Sequence, residues 1–168
     1  MQDTLPSREQ LFAQVEQQLR QQGFMIERQD WARPWGGFFV IDERQAQQFA
    51  DRYFDGLAVD SLRLAGKLSP KILVVAPQQR LSWQYHHRRA EIWRVVQGPV
   101  GVVTSPTDEE DSLGIYPVGE QIILGQGERH RLVGLDGWGI VAEIWQHTHA
   151  QYPSDEDDIV RVQDDFGR

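Results

Sequence analysis

Between Leu81 and Trp93 the chain reads LSWQYHHRRAEIW, which crowds an amide, two imidazoles, two guanidinium groups and a carboxylate into one short stretch flanked by β-forming residues. If LSWQYH is a strand, its side chains alternate, so Gln84 and His86 share one face while Tyr85 and His87 take the other. Glu91 then opens a second strand on which Glu91, Trp93 and Val95 share a face, and a hairpin through the arginines would bring Gln84, His86 and Glu91 together. A fourth donor has to come from a distant strand. His130, in GQGERHRL, follows a Gly-x-Gly bend of the kind that aims a side chain into a barrel. The chain has no cysteine, so any metal would be held by nitrogen and oxygen alone. Two imidazoles, one carboxylate and an amide oxygen suit one divalent ion, zinc first, with manganese, iron, cobalt or nickel as alternatives. The same residues also fit a solvated turn between strands, and spacing alone does not separate the two readings.

The elements that must carry these residues divide the chain in two. From Lys71 onward, KILVVAP, LSWQYH, EIWRVVQG, VGVVTS, LGIYPV, EQIILG, HRLVG and GIVAEIWQ are short β-rich runs separated by Gly, Pro and acidic turns. Many short strands at close spacing predict an antiparallel barrel or sandwich. The first third is predicted to be mixed and largely helical, with RPWGGFFVID a break followed by an apolar run too short for a helix. Ser7 caps an amphipathic run with Leu11, Phe12, Val15 and Leu19 on one face and Gly23 as its stop, and DERQAQQFADRYF repeats the pattern with Ala46, Phe49, Ala50 and Tyr53. Residues 1–56 are thus expected to form a helical extension packed on a barrel of residues 57–168, in one structural unit. The loop SPTDEEDSLG is read as a solvated connection.

With 17 basic and 25 acidic residues the net charge is −8, and no basic face for nucleic acid stands out. No apolar run approaches the roughly 18 residues of a membrane span, and the first residues lack the basic and apolar regions of a signal peptide. A soluble, cytoplasmic protein acting on a small molecule is expected.

The motifs resemble those of the cupins, and more narrowly the cupin of type II phosphomannose isomerases. Gln84-x-His86-x4-Glu91-x6-Gly98 matches the first cupin motif with glutamine in the first ligand place, and Gly119-x5-Gly125-x-Gly127-x2-His130 matches the second. The narrower pattern, LSLQ-x-H-x-x-R-x-E-x-W-x-VV-x-G, then P-x-G-x-x-HRL, an IE-x-Q strand and a closing DDI-x-R-x-x-D-x-[YF]-GR, is met here by LSWQYHHRRAEIWRVVQG, GQGERHRL, AEIWQ and DDIVRVQDDFGR, with RPWG upstream. The likeness runs from Arg33 to Arg168. Trp83, Ile92 and Gly125 depart from it, as does QHTHAQYPS, and these departures bear on the pocket more than on the fold. No Gly-rich pyrophosphorylase signature accompanies the motifs.

The resemblance implies a double-stranded β-helix, the jelly-roll barrel of cupins, with N-terminal α-helices. It implies a metal held by Gln84, His86, Glu91 and His130, and aldose–ketose isomerisation of a sugar phosphate such as mannose 6-phosphate through a cis-enediol. Glu143, in VAEIW, is the candidate second carboxylate for proton transfer, with a plain hydrogen-bonded strand glutamate as the alternative. An acidic protein binding a sugar phosphate needs local cations. Lys71, Arg88, Arg131 and Arg161 are the candidates, Arg131 placed with Glu143 at the reacting end and the other three on the substrate. Trp35 and Trp93 are read as core or pocket wall, and His147 and His149, which lack a following carboxylate, as no second metal site. The resemblance also allows a homodimer formed through edge strands. A non-catalytic, sugar-binding cupin is the competing function class, since one scaffold hosts unrelated functions.

Overall fold

The computed structural model describes residues 4–64 and 66–167; Arg168, which ends the closing motif, lies outside the described residues. Helix α1 (Arg8–Gln21) starts at Ser7, whose hydroxyl accepts from the Gln10 N–H while the Gln10 side chain accepts from the Ser7 N–H. This reciprocal cap satisfies donors the first turn would otherwise strand. The helix ends where Gly23 takes a positive φ of 87°. Strands β1 (Ile26–Arg33) and β2 (Gly36–Ile41) follow, then a 3-10 turn, α2 (Ala46–Tyr53) and the short α3 (Asp60–Arg63). The remainder is β3 (Lys71–Val75), β4 (Trp83–Tyr85), β5 (Arg89–Gln97), β6 (Val100–Ser105), β7 (Gly114–Tyr116), β8 (Gln121–Leu124), β9 (Arg129–Val133), β10 (Gly139–His147) and β11 (Val160–Gln163).

Two antiparallel sheets result, one ordered β1-β2-β3-β10-β5-β8 and the other β11-β4-β9-β6-β7. Two apolar clusters separate along the alternating faces of the larger sheet. Val75, Trp93, Val95 and Val141 join Val102 and Leu132 of the facing sheet in the barrel interior. Ile72, Val74, Ile92 and Ala142 point the other way, where Leu11, Phe12, Val15 and Leu19 of α1 and Phe49 of α2 cover them. The helices therefore seal the outside of one sheet and leave the interior between the sheets for a site.

Two expectations change. The first third is not simply a helical extension, because β1 and β2 form a hairpin and β2 pairs with β3, extending the larger sheet. Strand β1 is a polar edge strand, IERQDWAR, with no alternating apolar face to announce it. The paired glycines that follow are required by close approach: a Cβ on Gly36 would stand 1.9 Å from the Val74 carbonyl oxygen, and one on Gly37 2.0 Å from that of Asp30. The second change concerns the arginine-rich connection. β4 pairs with β9 and β11 whereas β5 pairs with β10 and β8, so residues 86–88 turn a corner from one sheet to the other instead of closing a hairpin. Among the described residues no helix is long and apolar enough to cross a membrane.

Candidate metal centre

The corner between β4 and β5 is held by Asp158, just before β11. Its carboxylate accepts from the backbone N–H groups of His87 and Arg88 at 2.9 Å each, and its carbonyl meets Nδ1 of His86 at 2.6 Å. A carbonyl only accepts, so Nδ1 of His86 carries the proton and Nε2 presents a lone pair. His130 repeats the arrangement on β9, with Nδ1 3.0 Å from the Glu128 carbonyl. Both free Nε2 atoms converge on one carboxylate oxygen, Oε1 of Glu91, at 3.1 Å from His86 and 3.0 Å from His130. His86, Glu91 and His130 are all buried, and one donor atom from each lies within 4.8 Å of the others.

Three electron-pair donors facing one another out of water are unfavourable unless something positive sits among them. Nε2 of His130 has no hydrogen-bond partner at all. Donor separations of 3.0 and 3.1 Å are those of neighbouring ligands around an ion bound at about 2.1 Å. The outer carbonyls that fix both tautomers are the usual support of metal-bound imidazoles. The residues thus fit a divalent cation. Burial pushes the Glu91 carboxyl up, but neighbouring positive charge, including that of Arg89 3.5 Å away, outweighs it and holds Glu91 well below the ordinary value.

The triad borders a cavity of about 420 Å³ between the sheets, whose wall also includes Gln84, Trp35, Trp93 and Glu143. Glu143 is buried, and Trp93 Nε1–H donates to its Oε1 at 2.9 Å. Burial first, and then the charge of neighbouring Glu91, push the Glu143 carboxyl up to about 8. Six basic residues line this cavity (Arg28, Arg33, Lys71, Arg89, Arg131, Arg161) against four acidic ones, Asp30, Glu91, Glu143 and Glu156. A chain of net charge −8 therefore presents a cation-rich concavity, which favours anionic ligands.

A model of the mannose-6-phosphate isomerase C-terminal family matches residues 53–164. The chain belongs to that family. Its relatives include the alginate biosynthesis protein AlgA of Pseudomonas aeruginosa, 31% identical over 124 residues, which are 74% of this chain and 24% of AlgA. Another is the xanthan biosynthesis protein XanB of Xanthomonas campestris pv. campestris, 32% identical over 111 residues, 66% of this chain and 22% of XanB. The chain thus spans about a quarter of the length of these relatives. Among solved structures, recombinant oxalate oxidase in complex with glycolate superimposes with a TM-score of 0.53 at 16% identity, covering 79% of this chain and 58% of that one. That likeness speaks for the fold, and the two-sheet barrel is a cupin with an N-terminal helix.

Within this family member, the expected residues separate by position. Gln84 stands opposite His130 in the sheet and lines the cavity, its Oε1 accepting from the Ser82 hydroxyl. The second lone pair of that oxygen remains for another partner. His86 is buried and His87 exposed, the alternation read from LSWQYH. Lys71 and Arg161 line the cavity, Lys71 with Nζ 5.0 Å over the Trp145 ring and Arg161 on β11 opposite Gln84. Trp35 and Trp93 are buried in the wall. His147 lies at the end of β10, tied to the Lys67 carbonyl and the Ser154 N–H.

Two assigned arginines have their guanidinium groups engaged away from the metal donors. Arg88 donates to the Pro153 carbonyl at 2.6 Å and approaches Asp155, outside the residues that line the cavity. Arg131 borders the cavity but alternates with the inward His130 and Leu132, and its guanidinium is spent on the Leu81 carbonyl, Glu110 and Gln163. It anchors the acidic loop, which Arg129 also holds through Asp108. That loop is solvent-exposed, as read from the sequence, and the two arginines pin it to the smaller sheet. Arg89 is the arginine that contacts the metal-donor residues. Its Nε is 3.5 Å from Glu91, its Nη2 3.4 Å from His86, and its guanidinium lies 3.9 Å over the Trp145 ring. Two signals pointed to it: Arg89 shares the strand face of Glu91, and it fills the arginine place of the family's first motif.

Proposed function

We propose that this cupin binds one divalent cation on His86, Glu91 and His130, with Gln84 as fourth donor, and isomerises an aldose phosphate to its ketose, mannose 6-phosphate being the leading substrate. The observation that carries the reading is the convergence of three buried electron-pair donors, their outer nitrogens already fixed, on a cation-rich cavity that also contains a second carboxylate. Zinc is the first choice for such nitrogen and oxygen donors. When bound, the ion supplies the positive charge that stabilises a negative oxygen developing on the substrate.

The chain's own residues supply the rest. Glu143 is the group to take a carbon-bound proton and return it one carbon away, with Trp93 Nε1–H fixing one of its oxygens and so aiming the other. Lys71 and Arg161, from opposite sheets, are placed for the phosphate. Arg89 holds Glu91 and His86 in place through its contacts with both. Trp35, Trp93 and Leu132 keep water from the reacting end.

The test is ketose formation from mannose 6-phosphate by metal-loaded protein, with wild type beside Glu143→Gln. Glu143→Gln keeps shape and loses the base, so turnover should fall by about 10²-fold or more at unchanged metal content. If a panel of aldose phosphates leaves the metal-loaded wild type inactive, the isomerase reading is wrong and a sugar-binding cupin replaces it.

A further inference from the structure

The cavity's mouth contains an ion cluster that neither the metal donors nor the proton-transfer group requires. Lys71 on β3 is nearly buried, and its Nζ meets both carboxylate oxygens of Glu156, at 3.1 and 3.3 Å. Arg28 on β1 reaches the same carboxylate from the other side, Nη2 to Oε1 at 3.8 Å. One monovalent carboxylate thus sits between two cations. Glu156 belongs to neither strand: it rides on an irregular segment between β10 and β11, and its side chain is 55% exposed. Arg28 and Glu156 line both this cavity and a neighbouring one of about 760 Å³, which Lys67, Ser69 and Trp145 also line. Arg28 precedes residues 53–164 matched by the family model, so the hairpin brings its charge to the site from outside the matched span.

We propose that Arg28 and Lys71 form a subsite for a dianionic, phosphate-sized group, and that Glu156 is its built-in competitor, a carboxylate that fills the subsite until such a group displaces it. The subsite deepens the functional reading above, which already places Lys71 on phosphate. The charge argument is direct. Two cations around one carboxylate retain a positive excess, which a phosphate with nearly two negative charges and three acceptor oxygens neutralises better. A charged Lys71 in a buried strand is costly to leave without an anion, which favours an exchange of one anion for another over a bare site. An exposed, irregular segment is the kind of element that can withdraw its carboxylate at low cost.

The experiment is calorimetric titration of the full chain with inorganic phosphate, with chelator present so that phosphate held on a metal does not contribute. Glu156→Gln should bind phosphate about tenfold more tightly than wild type, and Arg28→Gln about tenfold more weakly, the scale of one charge-assisted hydrogen bond. Arg28 is exposed, so its variant keeps the test open if Lys71→Met fails to fold by circular dichroism. Phosphate binding that is absent in all variants, no tighter in Glu156→Gln, or unchanged in Arg28→Gln overturns the subsite. Because turnover is not the readout, the two ideas fail separately: phosphate binding without isomerisation removes the reaction and keeps the subsite, and isomerisation with phosphate binding indifferent to these changes does the reverse.

Discussion

Two polar clusters flank strand β9, one on each face, and they obey opposite rules. On the outer face every charged group meets its complement. Arg131 donates to a carbonyl, a carboxylate and an amide oxygen, Arg80 donates twice to Asp165 at 2.7 and 2.9 Å, and Gln163 bridges the two arginines by donating to Asp165. On the inner face His86 and His130 turn their lone pairs toward an ionised Glu91, and His130 Nε2 has no partner. The outer cluster is complete in protein atoms. The inner one leaves His130 Nε2 unmet even though Arg89 stands beside Glu91 and His86, and that difference, more than burial or the number of charges, marks a candidate site. Buried polar groups are otherwise satisfied almost without exception in native proteins.

The largest expected effect breaks the inner cluster. His86→Ala should lower bound metal from about one ion per chain to near none by elemental analysis, since it removes a donor whose tautomer the protein fixes. His87→Ala, one residue away and exposed, should leave metal content unchanged; equal loss in both would disprove the assignment of faces. Chelation should correspondingly lower the melting temperature of wild type and leave that of His86→Ala in place, because a ligand bound at a hundredfold excess over its Kd stabilises by about 2.7 kcal/mol.

How much of this was readable before the structure follows from what each feature depends on. Alternation along one strand is local, so the inward His86 and the shared face of Glu91, Trp93 and Val95 were legible, as were the capped α1 and its four buried apolar residues. Pairing between strands is not local. Nothing in HHRR distinguishes a hairpin from a corner between sheets; the corner is made by Asp158, about seventy residues on. The polar edge strand β1 was invisible for a related reason, because an edge strand needs only one partner and only one covered face. Among the arginines, type and charge do not separate Arg88 from Arg89. Strand phase does, and it turns Arg89 inward and leaves Arg88 on Pro153 and Asp155.

A middle-sized effect sharpens the outer half of the comparison. Arg131→Met strips donors from the Leu81 carbonyl, Gln163 and Glu110 together, and Arg131 itself is almost wholly buried. Stability in urea should fall by about 1–3 kcal/mol, the scale of losing charged, part-buried hydrogen bonds together. Metal content should stay at the wild-type value. Loss of metal in Arg131→Met would mean that the two faces of β9 are coupled and that the outer cluster is part of the site.

The smallest effect concerns the Arg80–Asp165 pair at the rim of the outer cluster. Hydrogen bonds from Arg80 and then Gln163 hold the Asp165 carboxyl far below the ordinary carboxylate value. The folded protein therefore binds this proton less readily than the unfolded chain does. The pair's contribution is present above the unfolded value of about 4 and is lost as pH falls from there toward the lowered folded value. Both side chains are more than a third exposed, at 41% and 34%, so water screens the pair and its contribution should be no more than about 1 kcal/mol. Arg80→Gln should accordingly unfold at lower urea than wild type at pH 7, and the two midpoints should converge as the pH falls below about 4. In the inner triad Arg89 reaches Glu91 and His86 but leaves His130 Nε2 unmet, so its stability should respond to added metal at pH 7, whereas the Arg80 difference should not. An Arg80→Gln difference that instead changed with metal concentration would erase the distinction between a cluster closed by its own residues and one that is closed by an ion.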